Sequence, residues 1–134
     1  SNGARVALML ECLLRNREGK VFVASLAGVH GGTSRIRFRY FWTHPELYSE
    51  LSYKSQASER FISLAREMIP EHAVRAFVFY GSPEDSQVVP VHSSFPVLGH
   101  DESFFLVRGV NHRSLTGSVQ VHVLQRARDW LASL

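Results

Sequence analysis

One stretch limits the fold more than any other: Ala76–Ser94, AFVFYGSPEDSQVVPVHSS. Ala76–Tyr80 is an apolar run with the length of one buried strand. Gly81-Ser82-Pro83 breaks it. The acidic pair Glu84-Asp85 follows, then Val88, Val89 and Pro90. A carboxylate is thereby expected just past the C-terminal end of a strand, the edge where open parallel sheets keep reactive groups. A further strand is expected over Ser103–Val110, followed by Asn111-His112. An acid and a histidine therefore each trail a buried strand, and the acid comes first.

Upstream, Ala4–Arg17 reads as a helix that Val6, Ala7, Leu8, Met9, Leu10, Cys12, Leu13 and Leu14 make apolar nearly all round. Such a helix is normally buried and needs neighbours on several sides. Gly19 ends it. Val21–Ala27 is a strand candidate, rich in β-branched and aromatic residues. It runs into the loop Gly28–Thr33, at the same sheet edge as Gly81. Arg35–Trp42 is expected to be extended and partly exposed, with Arg35, Arg37 and Arg39 alternating on a solvated face. Tyr40, Phe41, Trp42, Tyr48 and Tyr53 form an aromatic segment, suited to a lid, an acyl-pocket wall or plain packing.

The spacing of Ala57, Phe61, Leu64, Ala65, Met68 and Ile69 predicts an amphipathic helix over Gln56–Ile69, stopped by Pro70. Val74–Tyr80 is the next strand, and Phe95–Asp101 a loop. His92 and Ser93 are expected to start and cap a helix. Val119–Leu134 is a last helix, with Val123, Leu124, Ala127, Trp130, Leu131 and Leu134 toward the core. Strands alternating with helices predict a parallel, doubly wound α/β sheet.

At 134 residues the chain holds at most one domain. Its charge of +3 is carried by scattered basic residues, and no nucleic-acid partner is expected. Cys12 is the only cysteine, which excludes an intramolecular disulfide and a cysteine metal cluster. His44, His72, His100 and His122 have no metal-ligand spacing. No apolar run approaches the roughly 20 residues of a spanning helix, so no transmembrane segment is expected.

An acid followed by a histidine lacks only a nucleophile. In the hydrolase order the nucleophile precedes both, at a sharp turn into a buried helix. Ser1-Asn2-Gly3 stands directly before the apolar helix and reads as the second half of G-x-S-x-G. Gly3 would let that helix pack close to the strand before the turn.

With these motifs the chain resembles the α/β-hydrolase superfamily, in particular its lipase-like and esterase-like members. The resemblance runs over all 134 residues but covers only the C-terminal half of such a domain. Val23–Thr33, VASLAGVHGGT, is similar to the strand that ends in a TPHxGT loop in many lipases, with Val29 in place of the proline. Gly81–Pro90, GSPEDSQVVP, resembles the acid turn commonly read G-x-x-D-x-x-V-P, and Gly109–His112, GVNH, resembles the histidine turn.

The resemblance implies Ser1 as nucleophile, Asp85 as acid and His112 as base. Glu84 is the alternative acid. The Asn2 N–H would be one oxyanion donor, and a loop outside this chain would supply the second. His30 could line the substrate pocket or be a structural loop histidine. The implied activity is hydrolysis of carboxylic esters, lipids included, through an acyl-enzyme and without metal or cofactor. The implied partner is the N-terminal half of the domain, in the same chain or a separate one. Two other readings stand beside it. One is an amidohydrolase whose free N-terminal serine is activated by its own amine. The other is a non-catalytic binding protein with a hydrolase shape.

Overall fold

The computed structural model describes residues 2–14, 22–36, 39–68, 77–95 and 103–134. Ser1, Arg37, the helix stops at Gly19 and Pro70, Ile69, the strand residues Val74–Ala76 and most of the expected Phe95–Asp101 loop lie outside these residues. So do the side chains of Cys12, Leu13, Leu14 and Met68.

The centre is a three-stranded parallel sheet, ordered β1 (Val23–Leu26), β2 (Phe77–Gly81), β3 (Phe104–Leu106). Val23 pairs with Phe77 and Leu26 with Tyr80; on the other side Phe79 pairs with Phe104 and Gly81 with Leu106. Every residue of β2 is buried, as its unbroken apolar sequence requires of a central parallel strand.

Side chains alternate between two faces. Val23, Phe77 and Phe79 face Leu8 of helix α1 (Asn2–Leu14) and Phe61 and Ala65 of helix α4 (Gln56–Met68). Val78 and Tyr80 face Leu115 and Val119 of helix α5 (Leu115–Ala132). Helices therefore cover both faces of a mixed α/β structure. Arg5, one turn into α1, reaches the Val29 carbonyl in the loop after β1, while Leu8 sits over Val23 and Phe77. The N-terminal end of α1 thus lies at the C-terminal edge of the sheet.

Three expectations change. The segment expected to be extended over Arg35–Trp42 ends in a helix: Tyr40–Trp42 belong to α2 (Tyr40–Thr43), and Pro45 opens α3 (Pro45–Leu51). No described strand borders this segment, so its backbone bonds close locally, from Thr43 and His44 N–H to the Arg39 and Tyr40 carbonyls. Proline at the first turn of α3 costs nothing there.

The core face of α5 also differs. Leu115 and Val119 are buried, and Val123 packs partly against them. Trp130 packs on Phe22. Leu124, Leu131 and Leu134 are exposed, Leu124 by 58%. Finally, α1 is covered on one side only: Arg5 and Leu8 are buried, whereas Val6, Met9 and Leu10 are exposed.

Candidate functional site

The three loops that leave the C-terminal ends of the strands are tied into one surface. Thr33, after β1, donates its hydroxyl to the Gln87 carbonyl at 2.7 Å and accepts the Val89 N–H at 3.2 Å. The Ser34 N–H donates to the Val89 carbonyl at 2.8 Å. Val91–Ser94 forms a short 3-10 helix, from which the Ser93 hydroxyl donates to the Gly32 carbonyl at 2.6 Å. Gly32 has φ +82°, and a Cβ there would stand 2.2 Å from the Ser52 carbonyl oxygen, so only glycine suits the turn.

Asp85 lies in the turn after β2 and is 4% exposed. One carboxylate oxygen, Oδ1, accepts the N–H groups of Gln87 and Val88 at 2.7 and 3.0 Å. The other, Oδ2, stands 2.7 Å from Nδ1 of His112. The carboxylate is thus fixed by its own loop and aimed at the ring. In the neutral ring this contact keeps the proton on Nδ1 and leaves the lone pair on Nε2. Among the described residues none is hydrogen-bonded to Nε2.

His112 is held by the start of α5. Asn111 and Ser114 cap one another: the Asn111 N–H donates to the Ser114 hydroxyl at 3.0 Å, and the Ser114 N–H to Asn111 Oδ1 at 2.9 Å. Leu115, 1% exposed, pins the first turn to the core. Gly109 supplies φ +78° three residues before His112. Of the two neighbouring acids, Asp85 meets the histidine; Glu84 is exposed and faces the Ser82 hydroxyl.

Asn2 opens α1, and the first N–H groups of a helix have no partner within it. Ser1, immediately before it, lies outside the described residues. A Cβ at Gly3 would meet nothing within 4 Å.

His30 does not line a pocket. It is 0% exposed, with Nε2 2.7 Å from the Ser25 hydroxyl, and its ring stacks on Phe61 and stands edge-on to Phe79. Burial, helped by the nearby Arg5 charge, pushes its pKa down to about 3, so the ring is neutral. Gly28 makes room for it: a Cβ there would come 2.2 Å from His30 Nε2. The reason is one of depth: the loop folds inward beneath the edge and turns this histidine into the core.

Sequence reasoning passed over Arg5. Its guanidinium donates to the Glu50 carbonyl at 2.9 Å and the Ser58 hydroxyl at 3.3 Å, and lies over the Phe61 ring. Burial lowers its pKa, against the opposing pull of Glu50. Its signal was a cation in the first turns of a mostly apolar helix whose other charge is Glu11. Among the other histidines, His122 Nδ1 lies 2.6 Å from the Tyr80 hydroxyl and His92 Nε2 2.8 Å from that of Tyr53, while His72 and His100 fall outside the described residues.

Among the described residues, no group of three or more metal-ligating side chains comes together, and no helix is long and apolar enough to cross a membrane. No family model, curated protein or solved structure matches the chain. The site must therefore be read from its own chemistry. An imidazole oriented by a buried carboxylate, at the carboxyl edge of a parallel sheet, can take a proton from a hydroxyl or water and return it to a leaving group.

Proposed function

We propose that the chain is the C-terminal half of an α/β-hydrolase domain and carries the triad of a serine ester hydrolase. One observation carries the reading: Asp85 Oδ2 and His112 Nδ1 meet at 2.7 Å, each after one of two adjacent parallel strands, acid first in the chain. Asp85 Oδ1 is held by the Gln87 and Val88 N–H groups of its own turn, which leaves its second oxygen to meet the imidazole.

Ser1 is the nucleophile. Its hydroxyl attacks the ester carbonyl as His112 Nε2 takes the proton, and Asp85 stabilises the imidazolium without itself being protonated. The oxyanion is met by the Asn2 N–H and the positive end of α1. The imidazolium then protonates the departing alcohol. Water, deprotonated by the same nitrogen, releases the acid and frees Ser1. The partner is the N-terminal half of the domain, which brings the strand before Ser1 and the second oxyanion donor. The substrates are carboxylic esters, lipid esters among them.

The test is covalent labelling of the complete protein with a fluorophosphonate. Ser1 is the expected site of label, and Ser1→Ala abolishes it. Ester turnover falls by about 10⁶-fold in Ser1→Ala and nearly as far in His112→Ala, because the triad acts as a unit. Asp85→Asn costs about 10⁴-fold, through the wrong tautomer. Unchanged turnover in Ser1→Ala would remove the mechanism and favour a binding role.

A further inference from the structure

We propose that Ser82 and Glu84 are positioning residues that clasp the histidine turn to the acid turn and so set the Asp85–His112 contact. The proposal rests on reading that pair as catalytic. Ser82 follows the last residue of β2 and is buried. Its hydroxyl donates to the Val110 carbonyl at 2.6 Å, two residues before His112, and Glu84 Oε2 is within reach of the same proton at 3.1 Å. The Ser82 oxygen accepts the Glu84 N–H at 3.2 Å. The Gly109 backbone N–H lies near the Glu84 carboxylate and favours its charged form.

The Val110 carbonyl is therefore bound by the Ser82 side chain of the acid turn, with the Glu84 carboxylate facing the neighbouring Gly109 N–H. Downstream, the Asn111–Ser114 cap holds the same loop to α5. His112 hangs between these two anchors, opposite a carboxylate that Gln87 and Val88 already hold. Partial desolvation raises the Glu84 pKa; the hydrogen bonds from Gly109 and Ser82, with the Arg108 charge, more than reverse this, and the carboxylate stays an acceptor. A group two residues from the chemistry thus fixes the height of the imidazole, and a displacement of about 1 Å there costs about 10²-fold in rate.

The experiment uses the complete protein and two readouts: steady-state ester hydrolysis, and the downfield NMR resonance of the His112 Nδ1 proton bound to Asp85. Glu84→Ala, at an exposed position, is expected to lower kcat about tenfold with KM within about twofold, and to broaden the resonance. Glu84→Gln keeps an acceptor for Gly109 and should restore both. Ser82→Ala should lower kcat by about 10²-fold and abolish the resonance, and Ser82→Thr, which keeps the hydroxyl, should recover it. An unchanged kcat and resonance in Glu84→Ala would overturn the clasp, whether or not Ser82→Ala folds. If the parent hydrolyses no ester, the hydrolase reading fails and the resonance alone decides the clasp. Its loss in Glu84→Ala supports the proposal and its persistence overturns it.

Discussion

His30 holds more of the stability of this edge than its loop position suggests. The unfolded ring titrates near 6.5 and the folded one near 3. Between these values the unfolded chain binds the extra proton, so folding stability is complete above pH 6.5 and falls as the pH drops below it. The loss is at most about 1.4 kcal/mol for each pH unit, or about 3 kcal/mol by pH 4. Urea midpoints of the complete protein between pH 7 and pH 4 should show this slope, and His30→Gln should flatten it. An equal slope in the variant would mean that other groups carry the acid sensitivity. The neighbouring residues show how far single positions were legible. The turn motif pointed to Asp85 but left Glu84 as an alternative acid, which only the Asp85–His112 contact separates. His30 could not be sorted between pocket and core, because burial depends on which way the glycine loop folds.

Among the elements, α5 carries the most consequence, since the turn directly before its first residue presents His112. Leu115→Ala deletes a side chain that is 1% exposed and should cost about 3 kcal/mol, with a matching loss of activity as the turn loosens. Leu124→Ala, at 58% exposure, should change stability by less than about 0.5 kcal/mol. Thermal unfolding of the two variants separates the observed core face from the one expected over Val119–Leu134. Equal costs would return Leu124 to the core. The periodicity of α5 admits more than one apolar stripe, because Val121, Leu124 and Leu131 repeat about as well as Leu115, Val119 and Val123. Contact with Val78 and Tyr80 selects the second. The amphipathic helix expected over Gln56–Ile69, with one dominant stripe, was legible across its described residues Gln56–Met68.

For the whole molecule, the outer side of α1 matters most. Val6 and Met9 join Leu51, Ala57, Phe61 and Leu64 around an open groove of about 520 Å³. A helix of this composition is stable when covered on both sides. Under the proposed reading the preceding half of the domain covers it. These 134 residues expressed alone should therefore bind a hydrophobic dye and unfold without a cooperative transition, and co-expression with the preceding half should restore one. A monomeric, cooperative transition of the chain alone, followed by circular dichroism in urea, would count against that requirement.

The sequence by itself determined that three strands form, their parallel class and the order acid then histidine, although the third strand runs only over Phe104–Leu106 and is partly exposed, where a buried strand over Ser103–Val110 was expected. Unbroken apolar runs ended by Gly81-Ser82-Pro83, and by the turn at Gly109, permit little else. It also determined that α1 is a helix, since its apolar residues occur at every angle and a strand of that length would be exceptional. Only the tertiary structure decided which acid faces the imidazole, which stripe of α5 is buried, and that Tyr40–Trp42 is helical rather than extended. Each of these depends on a partner far along the chain: the Val110 carbonyl for Ser82, the sheet for Leu115, and the absence of a bordering described strand for Tyr40–Thr43. Local propensity has no knowledge of such partners, and the free energy of burying one side chain rather than another is set where they meet.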